Sequence, residues 1–75
     1  MTAPAVLSHA LNPDALRAAR RTAGYSLQQA AARLGCSFSG LSRYERGEID
    51  PPASRVAALA DLYGVHPGDF FRPTT

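Results

Sequence analysis

Two glycine and serine pairs, Gly24 with Ser26 and Gly35 with Ser37, cut the middle of this chain into segments that fit only brief helices joined by tight turns. Between them Leu27, Ala30, Ala31 and Leu34 recur at helical spacing. Ser26 and Gln29 stand three apart, the spacing at which a serine hydroxyl and a glutamine side chain satisfy each other's backbone N–H groups in a capping box. Ser37 then caps a further helix, with Leu41 and Tyr44 on one face and Gly47 closing it. The same punctuation extends both ways. Asn12-Pro13 supplies a cap and a fixed φ, Asp14 suits the positive first turn, and a first helix is expected to Ala23, burying Leu16, Ala19 and Ala23. After a rigid Asp50-Pro51-Pro52 loop, Val56, Leu59, Ala60 and Tyr63 define a helix from about Ala53 to the stop at Gly64. Pro67 to Phe71 suits one last turn.

The expectation is an all-α fold of five short helices with no strand alternation. Helices 2 and 3, joined by a short turn containing glycine, have the outline of a helix-turn-helix. Seventy-five residues suffice for one domain with a modest core. Residues 12–72 are expected to form it, with residues 1–11 a flexible arm and residues 73–75 a frayed end. Residues 1–10 lack a basic segment followed by an apolar run, so they do not read as a secretory signal, and no apolar stretch approaches the ~20 residues of a membrane span. A cytoplasmic location is expected. Cys36, the single cysteine, excludes an internal disulfide and serves best as a small apolar residue at a turn. His9 and His66 lack partners at metal-like spacing, so no metal and no cofactor are expected. No nucleophile and base pair, phosphate loop or carboxylate dyad appears, which argues against an enzyme.

Charge is unevenly spread. Residues 1–47 carry Arg17, Arg20, Arg21, Arg33, Arg43 and Arg46 against Asp14 and Glu45, whereas residues 48–75 carry Arg55 and Arg72 against Glu48, Asp50, Asp61 and Asp69. The basic part is the side a polyanion would meet, and every cation in it is arginine, whose planar fork suits phosphate and guanine.

Residues 14–71 resemble the lambda-repressor and Cro family of helix-turn-helix domains, also called the Xre family. The resemblance rests on Leu16 and Arg20, on Gly24-Tyr25-Ser26, and on Ala30-Ala31 with Leu34-Gly35. It continues through Ser37, Leu41-Ser42-Arg43, Tyr44-Glu45-Arg46-Gly47, Pro51, Leu59-Ala60 and Gly64-Val65. Two positions depart from the family pattern: Leu27 replaces the usual glutamine at the start of helix 2, and Ala30 replaces a bulkier apolar residue.

The resemblance implies a bacterial or phage transcriptional regulator, a repressor or autoregulator. Its helix 3 would enter the major groove with Ser37, Phe38, Ser39, Ser42 and Arg43 toward the bases. Phosphate would be held at Ser26, Leu27 and Gln28, through backbone N–H groups at the helix start, and by Arg46. It further implies an ion pair between Arg20 and Glu45 and a homodimer on a palindromic double-stranded DNA operator, with Phe70 in the core and Phe71 the exposed anchor. Phe38 has two open readings, as a reader of a thymine methyl or as a core residue through its spacing to Leu41. A competing function is a protein-interaction module, such as an antitoxin-like or polymerase-contacting protein.

Overall fold

The computed structural model describes residues 11–71, and among them every regular element is helical. Helix α1 spans Pro13–Ala23, α2 Leu27–Leu34, α3 Phe38–Glu45 and α4 Ala53–Tyr63, followed by a 3₁₀ turn over Pro67–Phe71. Five elements were expected, and the last is the single tight turn.

Local chemistry explains where each begins. The Asn12 side chain accepts from the Asp14 N–H with Pro13 in the first turn. Ser26 Oγ accepts from Gln29 N at 3.1 Å while Gln29 Oε1 accepts from Ser26 N at 2.9 Å. Ser37 Oγ takes the Gly40 N–H at 2.9 Å. At 8 residues each, α2 and α3 are below the ~12–15 needed for marginal stability alone, so caps and packing have to hold them. Packing is supplied by Leu16, Leu41, Leu59 and Phe70, which are fully buried, with Ala30, Ala31, Val56, Ala60 and Tyr63 around them. Ala30 has no exposed surface at all, so its small side chain lets α2 seat directly on the core. Burying each large side chain contributes roughly 1.5–3 kcal/mol.

Three expectations require correction. Leu11, assigned to the arm, packs half-buried against the core, because the Asn12 N–H donates to the Phe70 carbonyl at 2.6 Å and draws the start of α1 onto the final turn. The rest of that arm, and residues 72–75, lie outside the described residues. Ala23 is exposed: the buried stripe of α1 is Leu16 and Arg20, and the last turn reaches beyond the core. Phe71 is half-buried beside the core instead of projecting freely, because the 3₁₀ turn lies on both α1 and α4.

The connection after α3 is fixed by Gly47, at φ 74, in the left-handed region that a side chain disfavours. A Cβ there would also lie 3.0 Å from Pro13 Cγ. Gly24 has φ 90 but open space around its missing Cβ. Both Gly→Ala substitutions are therefore expected to destabilise, Gly24→Ala by ~1 kcal/mol and Gly47→Ala by more, because it adds a contact with Pro13 to the backbone strain. Urea melts of the two variants check the order.

Tyr63 is buried against Tyr25, with ring centroids 6.2 Å apart, and its hydroxyl has no hydrogen-bond partner among the described residues. Burial, reinforced by the nearby Glu45 charge and opposed by Arg20, pushes its pKa up from 10.0 to about 12. The unfolded chain therefore ionises first. Stability is full below the unfolded value of 10.0 and falls as pH rises toward about 12. Tyr63→Phe is expected to remove that alkaline fall while leaving stability at neutral pH unchanged or raised by up to ~1 kcal/mol. Melts at neutral pH and between the two pKa values test this.

Candidate nucleic-acid interface

Helix α3 is aimed by an ion pair. Arg20, in the third turn of α1, donates from Nε to Glu45 Oε2 at 2.7 Å and from Nη2 to Glu45 Oε1 at 3.1 Å, a two-point contact with the last residue of α3. Its Nη1 donates to the Tyr25 carbonyl at 2.7 Å, in the link between α1 and α2. The side chains of Arg20 and Glu45 are only 9% and 4% exposed. The hydrogen bond to Glu45 raises the Arg20 pKa above its ordinary value, burial opposes this, and the Glu45 charge adds to it.

With Leu41 and Glu45 buried, the helical period turns the opposite side of α3 outward. Ser39 and Arg43 lie one turn apart on that side and are exposed. Ser42 is half-buried at its edge, and Ser37 is exposed but its hydroxyl is committed to the helix cap. Phe38, left open between core and surface, is 51% exposed at the first position of α3. Arg46 follows the last turn of α3 and is exposed.

The start of α2 contributes backbone donors. The capping box uses the N–H groups of Ser26 and Gln29, leaving those of Leu27 and Gln28 without an acceptor among the described residues. The Leu27 side chain packs half-buried on the core, which accounts for an apolar residue there, whereas Gln28 is exposed. Ser26 is exposed beside them.

Two polar residues escaped sequence reasoning. Arg55 of α4 donates to the Leu34 carbonyl at 2.8 Å, pinning the end of α2, and its separation of 21 residues left no local signal. Glu48 contacts Arg43 and Arg46 together, at 3.5 and 3.2 Å. Its nearness in sequence to both was the available clue. Cys36 is a half-buried free thiol in the turn, and among the described residues no group of histidine, cysteine, aspartate and glutamate could hold a metal ion. Nor is any helix among them long and apolar enough to cross a membrane.

Two short capped helices across the three-residue turn Gly35, Cys36 and Ser37, the second presenting one face to solvent, form a helix-turn-helix unit. The chain belongs to the helix-turn-helix domain family, whose model matches residues 14–70. The lambda-repressor and Cro-like resemblance is consistent with this membership.

The chain is 37% identical over 59 residues to an HTH-type transcriptional regulatory protein of Pyrobaculum aerophilum, covering 79% of this chain and 24% of that one. It is 40% identical over 50 residues to the HTH-type transcriptional regulator ImmR of Bacillus subtilis, covering 67% and 39% respectively. An uncharacterized HTH-type transcriptional regulator of Mycobacterium tuberculosis matches at 40% over 58 residues, covering 77% and 23%. The chain thus spans less than two fifths of the length of each of these relatives. No solved structure gives a significant match.

Because Arg20 and Glu45 are buried together, Arg20→Ala is expected to cost ~3 kcal/mol by stranding a carboxylate, as much as removing a large core side chain. A double-mutant cycle with Glu45→Ala checks it. Strong coupling is expected, with Glu45→Ala adding little once Arg20 is gone.

Proposed function

We propose that this chain binds double-stranded DNA sequence-specifically through α3 in the major groove and regulates transcription, as a repressor or autoregulator. The observation that carries this reading is the exposed pair Ser39 and Arg43, one turn apart on the side of α3 opposite the buried Leu41 and Glu45. A helix held rigidly from behind and polar in front fits a groove that admits one helix and offers hydrogen-bonding base edges.

Arg43 reads guanine through O6 and N7, Ser39 and Ser42 reach neighbouring edges, and the exposed Phe38 ring meets a thymine methyl. Ser37 lies at the same entry, its backbone nearest the groove. Phosphates are gripped by the unused N–H groups of Leu27 and Gln28 beside Ser26, and by Arg46. The role is binding and not catalysis, and it is exercised in the cytoplasm. One eight-residue helix reads only a half-site, so a homodimer on a palindromic operator is part of the proposal. The half-buried Phe71 contributes an edge to that contact, not a free anchor.

Selection of DNA fragments by the purified chain tests the reading directly and supplies the preferred site. On that site Arg43→Ala is expected to lose ~1–3 kcal/mol and relax preference at one base pair, while a phosphate contact would weaken all sequences alike. Affinity is expected to fall steeply with salt, and a flat salt profile would point instead to apolar docking on a protein partner.

A further inference from the structure

One carboxylate, that of Glu48, lies between the two arginines at the end of α3. Its Oε1 is 3.5 Å from Arg43 Nε and its Oε2 is 3.2 Å from Arg46 Nε. Each of these contacts runs to Nε, the guanidinium nitrogen nearest the side-chain stem. The carboxylate is held there by the backbone. Gly47 is left-handed, and the Glu48 N–H donates to the Arg43 carbonyl at 3.0 Å, folding the chain back over the helix end. A Cβ at Gly47 would meet Pro13 at 3.0 Å, so this turn also abuts the start of α1.

We infer that Glu48 is a specificity-determining residue of the interface, discriminating against contacts that offer phosphate alone. The inference rests on the reading of Arg43 as a base contact and Arg46 as a phosphate contact. Its physical basis is an asymmetry between the two DNA surfaces available to Arg43. A guanine edge is neutral, so Arg43 can place its end-on fork on O6 and N7 while its Nε stays beside Glu48. A phosphate is anionic. Taken by the same fork, it lies within a Debye length, ~8–10 Å, of the Glu48 charge and is repelled. Binding to random-sequence DNA is carried almost entirely by phosphate contacts, so there Arg43 takes the second option and the carboxylate weakens random binding more than preferred binding. Its contact with Arg46 affects both sequences alike and leaves their ratio unchanged.

The test compares the unsubstituted chain, Glu48→Gln and Asp61→Asn on the selected duplex and on a random-sequence duplex of equal length, by fluorescence anisotropy across a salt series. Asp61 is exposed on α4, and its substitution removes one negative charge without touching either arginine. Glu48→Gln is expected to tighten random binding about threefold to tenfold and preferred binding less than twofold, narrowing the ratio between them. Its random-sequence salt slope is expected to steepen by about 0.9, one further charge. Asp61→Asn is expected to leave the ratio unchanged.

Equal tightening of both duplexes by Glu48→Gln, no tightening of either, or an equal narrowing by Asp61→Asn would overturn the inference while leaving the reading of α3 intact. Failure of the unsubstituted chain to distinguish selected from random DNA would overturn both.

Discussion

The orientation of α3 depends on one buried contact, the two-point pair between Arg20 and Glu45. A charge taken out of water carries a penalty of several kcal/mol, offset only when its hydrogen-bonding capacity is used well. Here the guanidinium is engaged on three nitrogens, two on the carboxylate and one on the Tyr25 carbonyl. Such a pair often adds little net stability over well-packed apolar side chains, whereas removing either partner is costly. Its contribution is therefore geometric. It ties α1, the link into α2 and the end of α3 to one point, which fixes the rotation of α3 about its own axis.

That rotation matters because α3 cannot set it alone. An eight-residue helix has the Ser37 cap, the fully buried Leu41, the half-buried Tyr44 and the Glu45 contact as its anchors. The neighbouring helix is held in the same economical way, by its capping box at one end and by Arg55 on the Leu34 carbonyl at the other. Ala30 and Ala31 let α2 lie close over the core, so the turn between α2 and α3 needs only three residues. A domain this small fixes geometry through a few saturated polar contacts around a compact apolar centre.

The helix boundaries were legible in the sequence because their causes are local. Asn12, Ser26 and Ser37 each bond a backbone N–H two or three residues away, and glycine ends α1, α2 and α4 in the left-handed region. Burial was less legible because it depends on what lies opposite. Helical spacing groups Ala23 with Leu16 and Ala19 but carries no information about where the core stops, and Leu11 gained a neighbour through a backbone bond to Phe70. Phe70 and Phe71 were separable only through family resemblance, and the second proved half-buried beside the fully buried first. The link between Arg20 and Glu45 spans 25 residues, so resemblance pointed to it where spacing could not. The Glu48 contacts were within reach of sequence reasoning, but a charge next to arginines is usually only solvated, and only the fold of the turn brings one carboxylate to both.

The division of labour within α3 follows from these constraints. Leu41 and Glu45 face inward and determine whether the helix is held, while Ser39 and Arg43 face outward and touch little of the fold. Exposed positions of this kind change stability by roughly ±0.5 kcal/mol on substitution, against several kcal/mol for the inward ones. The outward surface can therefore vary with little effect on folding, which is the condition a scaffold must meet if its relatives are to present different surfaces on the same frame. Glu48 stands between these two sets. Its backbone closes the end of the helix while its carboxylate faces the outward arginines, so the turn that terminates α3 also shapes the field in front of it.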